Sequence, residues 1–573
     1  VFCVATLLVW FVNVVSPVHV LAVASISQVG ADIDGEAAGD ASGWSVAMSG
    51  DGSRIAIAAG GNDGNGSNAG HVRIYTLING TWTQTGLDID GEAAGDVSGI
   101  SVAMSGDGSR IAIGAPYNDG TDDNGSNFGH VRIYTLINGT WTQTGLDIDG
   151  EAAGDASGWS VAMSGDGSRI AIGDPYNDGT DDNGSNAGHV RIYTLINGTW
   201  TQTGLDIDGE AAGDASGWSV AMSGDGSRIA IGDPYNDGTD DNGSNAGHVR
   251  IYTLINGTWT QTGLDIDGEA AGDLSGWSVA MSGDGSRIAI GANGNDGNGI
   301  DAGHVRVYTL INGTWTQTGL DIDGEAASAN SGISVAMSGD GSRIAIGAPY
   351  NDGTGIDAGH VRVYTLINGT WTQTGLDIDG EAADDSSGIS VAMSGDGSRI
   401  AIGAPYNDGT GSNAGHVRVY GVPTVPVAPT ITSVVGTNGS LTVTFASGAD
   451  GGSPITNYKY SIDGTHYIAL NPVTTSSPFI ISGLTNATTY SVTIKAVNVY
   501  GDSLNSNTVS GTPTAPAAIV EPTTTTVAAT TTTVAAVVIL PETGSDSFPL
   551  FALAMGLISA GLVVSTRKRN TRR

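Results

Sequence analysis

The sequence predicts an all-β chain: a seven-bladed β-propeller, then a β-sandwich, a disordered Thr-rich stalk and a C-terminal transmembrane helix. Three observations predict the propeller. The segment SGDGSRIAI recurs with its arginine at Arg54, Arg110, Arg169, Arg228, Arg287, Arg343 and Arg399. No helical period runs through the repeats, and the 89 glycines of the 573 residues keep no collagen-like spacing. The seventh repeat also lacks its last strand, and a segment of matching pattern stands at the start of the array.

Four short strands are expected in each unit. In the second they are Ser101 to Met104, Arg110 to Ile113, His130 to Tyr134 and Thr140 to Thr144. A Gly-Asp-Gly turn separates the first two, and Asn138-Gly139 marks a tight hairpin before the last. A histidine follows each arginine, at His71, His130, His189, His248, His304, His360 and His416, and the next repeat's arginine comes 39 residues later. Every length change therefore falls in the loop YNDGTDDNGSNAG or its shorter forms, which marks an exposed loop on one face.

The seventh unit stops at Val419-Tyr420. Ser25-Ile26-Ser27-Gln28-Val29-Gly30 and the following Asp32-Ile33-Asp34 match the missing strand, Thr140 to Gly145 with Asp147 to Asp149. A chain beginning near Ser25 would complete the last blade and close residues 25–422 into a ring without open edges.

The repeats resemble the FG-GAP repeats of integrin α-subunit propellers and their bacterial relatives. Gly99-Ile100-Ser101-Val102-Ala103 corresponds to the family's first motif, with Ser98 where phenylalanine is usual. Gly114-Ala115-Pro116, Gly347-Ala348-Pro349 and Gly403-Ala404-Pro405 give the second; two repeats read Gly-Asp-Pro and two lack the proline. The family's calcium motif lies between the first two strands. Aligned on Asp107-Gly108, it would need ligands at Ala103 and Ile111, so that site is expected to be lost.

Residues 427–513 change character, and Lys459 and Lys495 are the first lysines of the chain. Leu441 to Phe445 and Tyr490 to Ile494 alternate as sandwich strands. Gly483-Leu484-Thr485-Asn486-Ala487-Thr488-Thr489-Tyr490 resembles a fibronectin type III domain. The resemblance puts Tyr490 at the tyrosine-corner position, and Phe445 where tryptophan is common. Without an Arg-Gly-Asp sequence, the expected role is a spacer.

The two ends indicate location. Residues 1–24 are apolar, end in Ala22-Val23-Ala24 and read as a signal peptide truncated at its start. Residues 514–539 are the Thr-rich stalk. Residues 540–573 contain Leu540-Pro541-Glu542-Thr543-Gly544, an apolar segment over 548–566 and a basic tail. This resembles the LPXTG sorting signal of Gram-positive surface proteins. The resemblance implies that the apolar segment holds the chain in the membrane while a sortase thiol attacks the Thr543 carbonyl, releases Gly544 and joins Thr543 to a peptidoglycan amine. The alternative is a permanent single-span anchor, and either places the bulk of the chain outside the cell.

Composition narrows the partners. Acids outnumber bases 58 to 21, a net charge of −37 that argues against nucleic acid. Cys3 is the only cysteine, which excludes disulfides and cysteine-rich metal sites. The sharpest candidate chemistry is calcium held by an acidic run with carboxylates at its first, third, fifth and ninth positions. Such runs are Asp88, Asp90, Glu92, Asp96; Asp147, Asp149, Glu151, Asp155; and Asp206, Asp208, Glu210, Asp214. Inter-blade turns and solubility explain the same acids without a metal. The histidines stand too far apart to share one ion and are expected to make structural hydrogen bonds. The two arginines per blade are expected to pair with neighbouring aspartates, and tryptophans of the Trp141 type to pack between blades. With near-identical blades and no Ser-His-Asp, HExxH or phosphate-loop pattern, catalysis is not expected.

These readings describe a wall-anchored surface protein whose propeller serves adhesion or recognition of a protein or glycan ligand. An acidic structural or shielding coat is the alternative. A propeller hydrolase or lyase is a third reading.

Overall fold

A computed structural model describes residues 26–119, 127–178, 185–237 and 244–516. The expected signal peptide, nearly all of the stalk, the sorting pentapeptide and the transmembrane segment lie outside these residues. Among the described residues no helix is long and apolar enough to cross a membrane.

Residues 26 to 421 form seven sheets of one pattern. In the second blade Ser101–Met104 is innermost, followed outward by Arg110–Ala115, His130–Ile137 and Thr140–Gln143. The outer position is interrupted. Ile148–Asp149 pairs with the same third strand, placing His130 opposite Asp149 and Val131 opposite Ile148. The hairpin before the outer strand turns at Asn138 (φ 51°) and Gly139 (φ 84°), the two positive φ values a type I′ turn requires.

Alternation along the second strand builds the core. Ile111 and Ile113 are fully buried against Val72 and Ile74 of the preceding blade, while Ala112 faces Ile170 and Ile172 of the next. Each large face thus meets a smaller one. Trp141 is buried in the same layer and donates Nε1–H to Thr85 O of the preceding blade at 2.9 Å.

The ring closes through the segment read as the missing strand. Ser27 and Gln28 pair with Gly421 and Tyr420, and Ile33 and Asp34 pair with Val417 and His416. Contacts at this junction repeat those elsewhere: Ser390 Oγ donates to Gly43 O at 2.7 Å as Ser101 Oγ does to Gly158 O. At one end of the axis, glycines of the strand-linking turns form a chain of backbone bonds. Gly50 donates to Gly106 at 2.8 Å, and five further bonds of that length lead through Gly165, Gly224, Gly283 and Gly339 to Gly395. Asp396 N–H returns to Gly50 O at 3.3 Å.

The second module is a two-sheet sandwich. Thr430–Thr437, Ser440–Ala446 and Phe479–Ser482 form one sheet; Asn457–Ser461 and Tyr490–Asn498 centre the other. Tyr490 accepts the Thr485 N–H at 3.1 Å, the expected tyrosine corner. Phe445 packs on Tyr458 and Phe479 in the core. Arg343, in the blade end that carries the glycine chain, lies 5.5 Å from the centre of the Tyr500 ring of the sandwich. Asn498 Nδ2 holds the linker by donating to Thr424 O at 2.7 Å.

Candidate recognition face

Two positions of each repeat meet at the end of the propeller opposite the glycine chain. One precedes the inner strand, as Trp159 precedes Ser160–Met163; the other follows the second strand, as Tyr176 follows Arg169–Asp174. Antiparallel pairing of these strands brings the two positions together. The first holds Trp44, Trp159, Trp218 and Trp277 in four blades and Ile100, Ile333 and Ile389 in the others. The second holds Tyr117, Tyr176, Tyr235, Tyr350 and Tyr406, with Gly61 and Gly294 in the remaining two.

From the second to the fifth blade the rings form one continuous ledge. Tyr117 meets Trp159 edge-on at 6.3 Å, and Trp159 meets Tyr176 at 5.6 Å. Trp159 and Trp218 are 4.9 Å apart, as are Trp218 and Trp277, both pairs tilted. Tyr235 lies 5.4 Å from Trp218 and 6.4 Å from Trp277. Offset and edge-on contacts are the favoured aromatic geometries, so the ledge is stiff. Its rings are half-buried, leaving part of each to solvent. In the first blade Gly60 and Gly61 help line a cleft of about 180 Å³ beside Trp44, Val97 and Ile100. Sequence reasoning missed this surface by attending to the Trp141 position. The signal was the choice between tryptophan and isoleucine before SVAM, where the repeats are otherwise nearly invariant.

The acidic runs end on the same face, but the acids of one run do not gather as a calcium loop. Asp155 is buried, accepts the Glu151 and Ala152 N–H groups at 3.2 and 2.7 Å, and receives Asn177 Nδ2 at 3.1 Å. Asp96 and Asp214 cap their own turns in the same manner. The Asp90 and Asp149 carbonyls accept Arg132 and Arg191 of the following blades, and Asp208 O accepts Arg250. The first and fifth acids instead turn to histidines, each cluster drawing on two runs: Glu36 and Asp88 with His71, Glu92 and Asp147 with His130, Glu151 and Asp206 with His189, and Glu210 and Asp265 with His248. One imidazole and two carboxylates make a mixed nitrogen–oxygen set, unlike the all-oxygen shell of calcium.

The arginines depart only in part from their expected pairing. Arg110 donates to Thr135 Oγ1 and the Gly167 carbonyl rather than to an aspartate. Arg191 and Arg250 do meet buried aspartates, Asp174 at 2.9 Å and Asp233 at 3.0 Å, and these also accept His189 and His248. In the other five blades alanine replaces the aspartate, and the histidine Nε2 has no protein partner among the described residues. Burial opposes charge on His189, but its hydrogen bond to Asp174 raises its pKa. Burial and the adjacent Arg362 lower that of His360 to about 4.

Comparison with known proteins bears on this architecture. A model described as FG-GAP repeat matches residues 146–193, 205–252, 264–308 and 376–420. A fibronectin type III domain model matches residues 426–512. The chain carries FG-GAP repeats and a fibronectin type III domain. Each matched FG-GAP segment begins in or just before the short outer strand of one blade and ends in the third strand of the next, the same offset that sends the N-terminal strands to the last blade. No curated protein matches the chain. Among solved structures, a protein assigned as 6-phosphogluconolactonase from Bacteroides uniformis is 13% identical, with a TM-score of 0.43 over 62% of this chain and 90% of its own. The periplasmic gluconolactonase of Pseudomonas aeruginosa is 15% identical, with a TM-score of 0.41 over 59% of this chain and 86% of its own.

Proposed function

We propose that the chain is an extracellular, wall-anchored adhesin whose propeller recognises a glycan on the aromatic ledge. The observation that carries this reading is the six-ring surface from Tyr117 to Trp277, where the sevenfold repetition is broken. Half-exposed indole and phenol faces offer flat apolar area with fixed orientation, which suits stacking against the C–H face of a sugar. Acidic turns around the ledge disfavour anionic ligands, so a neutral or amino-bearing saccharide is the expected class. The sandwich contacts the blade end that carries the glycine chain, opposite the ledge, and so leaves the ledge uncovered. The sorting motif Leu540 to Gly544 supports covalent attachment by sortase, with Thr543 as the transferred acyl group.

A glycan array probed with residues 26–516 tests the ligand class. Binding by the native protein that is lost in Trp218→Ala supports the reading. Absence of binding to any neutral or amino sugar would leave the acidic coat as the better account.

A further inference from the structure

Seven blades built on one sequence provide internal comparisons, and one buried position differs in kind among them. The residue opposite the histidine in the second strand is Asp174 in the third blade and Asp233 in the fourth. Each of these carboxylates is fully buried and accepts two charge-assisted hydrogen bonds, one from histidine Nε2 and one from arginine Nε. Ala59, Ala115 and Ala348 occupy that position in the first, second and sixth blades.

The donors remain in place in those three blades. His71, His130 and His360 are 1, 2 and 1% exposed, and Arg73, Arg132 and Arg362 are 4, 5 and 4% exposed. Both Nε2 and Nε of each pair are buried and meet no acceptor among the described residues. The rest of each guanidinium is engaged: Arg132 Nη2 donates to Asp90 O at 2.7 Å, and Nη1 lies 3.6 Å from the half-exposed Glu92. Nε is thus the orphaned donor, and the buried charge facing it has lost its carboxylate. Such a pair of donors is costly to leave unmet. Replacing aspartate by alanine removes a carboxylate's volume, about that of one small anion or water.

We infer that the blades bearing Ala59, Ala115 and Ala348 each bind a halide-sized monovalent anion between histidine Nε2 and arginine Nε, where two sister blades carry an aspartate carboxylate. The anion restores the negative charge and accepts both hydrogen bonds. A neutral water could accept the arginine bond but would leave each guanidinium with only a half-exposed glutamate 3.6 Å away as counter-charge. His304 and His416 show the same orphaned Nε2. The inference is independent of the ledge and of any glycan.

Anomalous scattering from crystals of the protein in sodium bromide tests it. Bromide is expected between His71 and Arg73, His130 and Arg132, and His360 and Arg362, and absent beside Asp174 and Asp233. Ala115→Asp should erase the second-blade peak and leave the other two. Asp174→Ala should create a new peak beside His189. It should also melt higher in sodium bromide than in sodium gluconate of equal ionic strength, by a larger margin than the native chain. The Asp174→Ala readout stands even if Ala115→Asp does not fold. Water alone at the three positions, or bromide peaks indifferent to both substitutions, overturns the inference.

Discussion

Gln28 stands opposite Tyr420, joining the first described strand to the last strand of the repeat array. The Val29 N–H reaches Val419 O at 2.7 Å, and Val29 O accepts the Trp82 indole N–H of the first blade at 2.8 Å. This short segment therefore ties the seventh sheet to itself and to its neighbour. A chain beginning at Gly35 should melt cooperatively at a lower temperature and associate, because the strand His416–Gly421 becomes an exposed edge. Calorimetry and light scattering check this. Melting unchanged from the native chain would show that closure contributes nothing.

Asp155 caps its own turn, so its contribution should be independent of metal. Asp155→Ala should destabilise the propeller by about 1–2 kcal/mol, as loss of a carboxylate accepting backbone N–H groups does. Calcium added at constant ionic strength should leave the melting temperatures of native and variant chains unchanged. A saturable, calcium-specific rise in the native protein that Asp155→Ala removes would restore the calcium-loop reading.

Periodicity made most of the fold legible. Constant spacing from His71 to Arg110 and onward fixed the repeat frame, Asn138-Gly139 fixed the hairpin, and the truncated end at Tyr420 pointed to Gln28. Tyr490 likewise announced its corner through its neighbours. The site was less legible because its information lies in departures from the repeat. Trp159 in place of the isoleucine at 100, or Asp174 in place of the alanine at 115, looks minor in a string. Each becomes consequential only when the fold places it beside its counterparts. The acidic run was hard to read for a related reason: Asp147, Glu151 and Asp155 are close in sequence, but the inter-blade crossing sends them to His130, to Arg191 of the next blade and to their own turn.

Thr543→Ala should leave the protein in the membrane fraction. Sortase transfer requires recognition of the pentapeptide and attack on the residue 543 carbonyl, after which Gly544 departs as the amine. Cell fractionation with and without muramidase reads the outcome. Release of the variant by muramidase to the native extent would rule out anchoring at this motif.

The two histidine environments give opposite pH dependences. His360 faces Arg362 and Asp377, with Glu325 3.6 Å from the guanidinium, and its folded pKa of about 4 lies below the unfolded value. It therefore contributes stability that is full above about pH 6.5 and is lost as pH falls towards 4. His189 faces Asp174, Arg191 and Asp206, and its folded pKa is raised, so its contribution is full below about pH 6.5 and is lost as pH rises through the folded value. In gluconate buffer, His360→Gln should flatten the fall in melting temperature between pH 6.5 and 4. His189→Gln should leave that range nearly unchanged and instead flatten the fall in melting temperature as pH rises above about 6.5. Parallel pH profiles for both variants and the native chain would contradict these environments.

The aromatic ledge makes the most direct functional prediction. Trp218 is its centre, touching Trp159 and Trp277 at 4.9 Å and Tyr235 at 5.4 Å, so its removal breaks the surface into two unconnected parts. Its ring is half-buried, unlike that of Trp259, which is 8% exposed and packs between blades. Trp218→Ala should therefore lower glycan affinity by roughly tenfold or more, as expected for a central aromatic anchor. Trp218→Phe, which keeps a flat ring, should recover part of that loss. Trp259→Ala should instead destabilise the fold by about 3–5 kcal/mol, with weaker binding only in proportion to the unfolded fraction. Isothermal titration beside thermal melting separates the two effects. Equal affinity in Trp218→Ala and the native chain would exclude the ledge as the binding surface, whatever ligand the array identifies.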